Sequence, residues 1–198
     1  MENWQNLYIE LSEKLSADLD DNELEFYNKL NTIAEHDGKS PIRWLDLWHN
    51  QVNFLEDELQ FPTPAVFLSF RSKNVQDLGD KLQEMVLQID CYLFYETFSN
   101  TFKGSFNQED ALNFIGLLDF INARLHATTG ENYSAMRKVG FAPEDTGNAG
   151  NLYRITFECI ITDASAAKIS EEAEIGDLEL LNDEDNDFVL DILINELI

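Results

Sequence analysis

The chain has 198 residues, of which 44% are hydrophobic, with 38 acidic and 13 basic residues and a net charge of −25. This length and apolar content are enough for one domain with a hydrophobic core, so they exclude a chain that is disordered throughout. The strong negative field repels nucleic-acid backbones and anionic membranes, so we expect neither specific nucleic-acid binding nor membrane binding.

Targeting signals are not evident in the sequence. The first ten residues, MENWQNLYIE, lack the basic and apolar regions of a signal peptide, and no apolar run approaches about 18 residues. We therefore expect the chain to be made and kept in the cytoplasm.

Apolar residues at helical spacing mark the first 40 residues. Residues 3–16 fit an amphipathic helix, and residues 22–35 repeat the pattern with Asn22 as a candidate N-cap. The segment 36–41 is typical of a loop. Residues 42–59 fit either a helix or a strand that ends near His49, and periodicity alone leaves both open.

The stretch FPTPAVFLSF, residues 61–70, predicts a strand that begins at or just after Pro64, because proline cannot donate to a β-ladder. Apolar residues on both faces indicate a central strand covered on both sides, or an interface. Residues 71–80 are polar and are predicted to form a loop. Residues 82–96 alternate strictly and predict a long strand, with Tyr92 and Phe94 on its more polar side.

The second half of the chain predicts one helix and two strands. Asn107 is a candidate cap for a helix that runs to about His126, with Asp110 completing a box-like start. The pattern of residues 133–139 predicts a short strand, that of residues 143–151 a turn or hairpin tip, and that of residues 152–163 an alternating strand. We take residues 1–163 as a single domain.

An acidic extension follows at residues 164–198. Residues 171–198 contain 11 acidic and no basic residues, which leaves 27 acidic and 13 basic residues for the rest of the chain. The segment closes with FVLDILINELI, which predicts either a docking segment or a last helix packed on its own domain. Its candidate docking residues are Phe188, Leu190, Ile192, Leu193 and Leu197.

No pattern for catalysis, metal binding or cofactor binding emerges. The acidic runs 18–23 and 182–187 lack the glycine and the final glutamate of a calcium loop, and the three histidines lack metal-ligand spacing. GKS at 38–40 lacks the upstream glycine of a phosphate loop. Cys91 and Cys159 lie in apolar alternating segments, which favours buried thiols, although a bridge between neighbouring strands stays open. We expect a protein that is not an enzyme and has no cofactor.

The order of these elements resembles the tail-terminator or tail-completion proteins of long-tailed bacteriophages and Mu-like prophages. The resemblance covers about residues 1–163. It rests on Asp46-Leu47 with Gln51 just after, the Pro-Ala-Val-Phe run 64–67, the helix ALNFIGLLDFINARLH at 111–126 and the closing ITFECIITD at 155–163. The additional helix near 22–35 and the acidic extension depart from the short form of the family.

This resemblance implies an α+β fold, with a mostly antiparallel sheet of about four strands covered by helices, and it favours a strand at 42–48. It also implies a ring, typically of six subunits, that caps the head-proximal end of the tail tube in the virion. The implied partners are further copies of the chain, the tail tube protein and the head-tail connector protein.

On this reading, the segments 71–80 and 140–151 contact the tube, and the apolar strand 65–70 with Tyr92 and Phe94 supplies subunit contacts. Arg71, Lys73 and Lys81 are candidates for subunit or tube salt bridges, against the plain alternative of solvated surface charge. Two other functions stay open: an acidic inhibitor that mimics DNA, and an acidic adaptor that docks through its C-terminal segment.

Overall fold

The computed structural model describes residues 2–27, 38–54, 61–96, 101–146 and 150–166. In this part of the chain, helices α1 (Glu2–Ser16) and α2 (Asp21–Tyr27) precede strand β1 (Trp44–Leu47) and a 3-10 turn at Gln51–Phe54. Strands β2 (Ala65–Gly79) and β3 (Leu82–Tyr95) follow, then helix α3 (Gln108–Leu125) and strands β4 (Arg137–Glu144) and β5 (Asn151–Asp163). The predicted α+β class is confirmed.

The strands form one five-stranded mixed sheet in the order β1-β2-β3-β5-β4. Strand β1 runs parallel to β2, and the other three pairs are antiparallel. The sheet therefore has one strand more than the expected four. The strand alternative is confirmed for Trp44–Leu47, while residues 55–60 lie outside the described residues.

One face of the sheet, the helix face, is covered by α1 and α3. Alternate residues of β3 and β5 point to this side, so their apolar side chains meet the apolar stripes of both helices. Leu7, Leu11 and Leu15 of α1 are fully buried there, together with Phe120 and Ile121 of α3. Leu112 and Ile115 of α3, although apolar, are about half exposed.

The polar segment 71–80 is not a loop, contrary to the sequence prediction. It forms the outer half of β2 and pairs with β3 as far as Gly79. Its side chains are exposed on both faces, so no apolar alternation marks it as a strand. The reversal is a two-residue turn at Asp80 and Lys81, with φ of 49° and 61°, the backbone of a tight hairpin with positive φ at both positions.

The predicted strand at 133–139 is also displaced. Strand β4 begins at Arg137, and Tyr133 lies before it, buried in the core. Ser134 pairs with the edge of β5 at a single point. Its N–H donates to the carbonyl of Ile160 at 2.9 Å, and its hydroxyl accepts from the N–H of Ile160 at 2.8 Å.

Helix boundaries correct two predicted caps. Asn22 lies inside α2, and the capping residue is Asp20, whose Oδ1 accepts from the N–H of Glu23 at 2.8 Å. Glu23 returns the bond by accepting from the N–H of Asp20 at 3.1 Å, so the two form a reciprocal capping box. Helix α3 does begin after Asn107, but the Asn107 side chain makes no capping hydrogen bond to the described helix.

Candidate interaction surface

The five candidate contact residues do not form one cluster. Arg71 and Lys81 are exposed, on the outer half of β2 and in the turn that follows it. The Lys73 side chain extends over the intervening strand β3 and forms an ion pair with Glu158 of β5. Arg137 of β4 approaches the other oxygen of Glu158 at 3.8 Å. Lys73 thus belongs to a charge network within the chain, whereas Arg71 is exposed to solvent.

Tyr92 and Phe94 are buried, so the prediction that they are exposed subunit contacts is wrong. Tyr92 is 9% exposed and Phe94 is 1% exposed. The Trp48 ring stacks on Tyr92 with centroids 4.2 Å apart and planes 10° from parallel. Phe61 packs edge-on against Phe94 at 5.8 Å. The segments that flank β1 and β2 therefore fold over this end of the sheet and form a second, smaller core.

The apolar strand start 65–68 is buried as well. Ala65, Val66, Phe67 and Leu68 are each at most 1% exposed, because β1, β3 and both cores surround them. The prediction of a central strand covered on both sides is confirmed for these residues. They are not available for contact with another subunit.

A buried carboxylate lies on the sheet face opposite the helices, which we call the polar face. Asp90 of β3 is 1% exposed and Gln88 is 7% exposed. The Gln88 amide donates to both Asp90 oxygens, at 3.1 and 2.9 Å, and the Thr156 hydroxyl donates to Oδ1 at 2.6 Å. A buried carboxylate needs such donors because it loses its hydration on folding.

The charge of Asp90 affects its neighbour on the same face. Burial raises the pKa of Tyr92, and the nearby Asp90 carboxylate raises it further by opposing a second negative charge. The sequence contained a signal for this site, since Gln88 and Asp90 interrupt the apolar character of the strand. The alternation predicted for residues 82–96 puts both residues on the same side as Tyr92 and Phe94, but it does not predict that they are buried.

The sheet ends on two unlike outer strands. Beyond Leu68, no described strand pairs with the outer edge of β2, which leaves residues 69–79 as an open edge. At the other end, β4 has no described neighbour beyond β5. Both strands expose apolar side chains: Val75 (48%) and Leu78 (49%) on β2, and Val139 (42%) and Phe141 (50%) on β4. These open edges are the main candidate interaction surface.

The turn or hairpin tip predicted at 143–151 joins β4 and β5, which pair as the antiparallel arms of a β-hairpin, although Pro143, Glu144 and Asn151 belong to the arms. Residues 147–149 at its tip lie outside the described residues. The contact of 140–151 with the tube stays a prediction. The five candidate docking residues of the C-terminal segment, from Phe188 to Leu197, also lie outside them.

The two cysteines are buried free thiols, as predicted. Burial raises the pKa of Cys159 to about 12 and raises that of Cys91 further. Cys91 is paired in register with Ile155, and Cys159 with Leu87, so the two are not cross-strand neighbours. Such thiols are poor nucleophiles near neutral pH because little thiolate forms.

Within the described ranges, no group of three or more histidine, cysteine, aspartate or glutamate side chains is placed to hold a metal ion. Among the described helices, none is both long and apolar enough to cross a membrane.

The described residues define an α+β protein with a mixed sheet open at both edges. No protein-family model matches the chain, and no curated protein matches its sequence.

Proposed function

We propose that this chain is a non-enzymatic structural protein of a long-tailed phage or prophage. It forms a ring on the head-proximal end of the tail tube and joins the tube to the head connector. The proposal rests on the sequence resemblance, and the structural observation that carries it is the pair of unlike open edges on one sheet.

A closed ring needs two different surfaces on each subunit that fit each other head to tail. The open edge of β2 and the open edge of β4 lie at opposite ends of the sheet, separated by β3 and β5. Each presents unpaired backbone and two half-exposed apolar side chains. Unprotected edges of this kind favour pairing with another chain, which makes them suitable subunit contacts.

Both edges carry charges of both signs. The outer half of β2 and its turn carry Asp77 and Asp80 beside Arg71, Lys73 and Lys81, and β4 carries Arg137, Lys138 and Glu144. A pairing that sets Asp77 and Asp80 opposite Arg137 and Lys138 places opposite charges across that part of the contact, and complementary charge favours correct association over other pairings. The net charge of −25 also suits a ring around a DNA channel, because an acidic wall does not retain DNA.

The test is negative-stain electron microscopy of the purified chain, alone and mixed with the tube protein from the same genetic element. Rings, or caps on the ends of shortened tubes, are the expected result. A monomer that leaves tube length and tube ends unchanged would overturn the proposal. The acidic adaptor would then become the leading function, tested by pull-down with residues 164–198 as bait.

Point variants locate the contact. Val75→Asp and Phe141→Asp place a charge on each open edge and are expected to abolish rings or tube caps while leaving the monomer folded. Phe106→Asp is the matched control, because Phe106 is fully exposed and lies outside the sheet. Equal assembly by all three variants would argue against edge pairing.

Arg71 provides a separate test of the basic contacts. Its exposed guanidinium is suited to an acidic partner, since Arg readily forms paired hydrogen bonds with carboxylates. Arg71→Glu should weaken tube capping. Normal capping by this variant would assign Arg71 to solvated surface charge.

A further inference from the structure

An apolar groove lies between helix α1 and the end of strand β1. Its volume is about 490 Å³. Its apolar walls come from Trp4, Tyr8 and Ile9 of α1, Leu47 of β1 and Phe70 of β2. Ile9 is 51% exposed and Leu47 is 48% exposed. Adjacent apolar side chains with this much exposure mark a surface that gains from being covered.

The groove forms where β1 stops. Strand β1 covers the edge of β2 only as far as Leu68, so Phe70 extends past the last paired residue. Trp4 packs edge-on against Phe70 with ring centroids 6.2 Å apart. Helix α1 and the sheet thus meet at Trp4, and the space beyond this contact is open.

The C-terminal part of the chain leaves the described fold beside this groove. The indole N–H of Trp4 donates to Oδ2 of Asp163, the last residue of β5, at 3.3 Å. Ser165 turns back on the same carboxylate through a 2.9 Å bond from its N–H to Oδ1. The groove-lining Trp4 therefore also holds the point from which residues 167–198 continue.

We infer that the apolar end of this same chain, residues 188–198, binds in the groove. Eight of these eleven residues are apolar, and the 21 residues 167–187 separate them from the exit point. A chain of that length spans about 70 Å at most when fully extended, so the connection is long enough for the segment to return to a groove at its own point of exit. Tethering raises its local concentration well above that of a free partner.

A disulfide-trapping experiment on the full chain tests this inference. Ile9→Cys combined with Ile192→Cys places one thiol on the exposed rim of the groove and one in the segment. The control combines Ile115→Cys with Ile192→Cys, because Ile115 is 53% exposed on α3. Cys91 and Cys159 are buried and contribute little background under mild oxidation.

The expected result is an intramolecular disulfide that forms at least about 10-fold faster in the groove pair than in the control pair, at a rate independent of protein concentration. Adding Leu47→Asp to the groove pair should remove this advantage. Equal rates for the two pairs would overturn the inference. So would cross-linked dimers whose yield rises with concentration, because they would assign the groove to the segment of a second copy.

Discussion

The hydroxyl of Thr156 donates a 2.6 Å hydrogen bond to Oδ1 of Asp90, a carboxylate that is 1% exposed within the sheet. Gln88 supplies the other side-chain hydrogen bonds to this carboxylate. The two donors come from different strands, so the buried charge ties β3 to β5 through side chains as well as through the backbone ladder.

Thr156→Val should lower the free energy of unfolding by about 1–3 kcal/mol, because it removes one donor from a buried charged acceptor. Thr156→Val should cost less stability in a protein that already carries Asp90→Asn, because the acceptor is then neutral. Urea unfolding of the two single variants and the double variant measures this difference. Thr101→Val, at an exposed position, is the control, and an equal loss at both threonines would contradict the role of Thr156.

Glu10 makes stability depend on pH. Burial acts to raise the pKa of Glu10, but hydrogen bonds from the Asn132 side chain and from the N–H groups of Asn132 and Glu131 outweigh it and lower the pKa below 4.5. A lowered carboxyl pKa stabilises the fold above pH 4.5, and this contribution is lost as pH falls through the folded-state pKa.

Glu10→Gln should therefore reduce stability near pH 7 and make the decline towards about pH 3 shallower. Thermal unfolding across this pH range measures both effects. Glu13→Gln is the matched control, since Glu13 is exposed on the same helix. An unchanged pH profile for Glu10→Gln would show that its hydrogen bonds do not persist in solution.

Arg124 of α3 holds the connection between α1 and α2. Its guanidinium donates to the carbonyls of Lys14, Ala17 and Asp18 at 3.1–3.2 Å, and to Oε2 of Glu23 at 2.7 Å. Arg124→Met should cost about 2–4 kcal/mol of unfolding free energy, because several acceptors lose a charged donor. Arg71→Met, at an exposed site, should change stability by about 0.5 kcal/mol or less. Chemical denaturation compares the two, and similar values would refute the structural role of Arg124.

The capping box of α2 gives a direct comparison between two neighbouring residues. Asp20→Ala should cost about 1 kcal/mol, since it leaves the N–H of Glu23 without its side-chain acceptor. Asn22→Ala should be neutral or slightly stabilising, because Asn22 lies within the helix, where alanine is favoured. Urea unfolding decides between them, and the reverse order of effects would restore Asn22 as the cap.

Elements with a periodic pattern of apolar residues could be predicted from the sequence. The stripe of Leu7, Leu11 and Leu15 predicted α1, and the alternation through residues 152–163 predicted β5, because burial on one side imposes a period on the sequence. The alternation through residues 82–96 likewise predicted β3, although residues 87–94 are buried on both faces. Pro64 likewise marked the start of β2, since proline cannot extend the ladder backwards.

Tertiary structure alone decided the rest. The outer half of β2 has no buried face, so its pairing with β3 leaves no period in residues 71–80. Tyr92 and Phe94 are buried because Trp48 and Phe61, distant in sequence, pack over them. Asp90 finds its donor on β5, 66 positions away. A local sequence pattern reflects the preference of each residue for a helix or a strand. Burial also depends on which distant segments pack against that residue, and this is set by the tertiary structure of the whole chain.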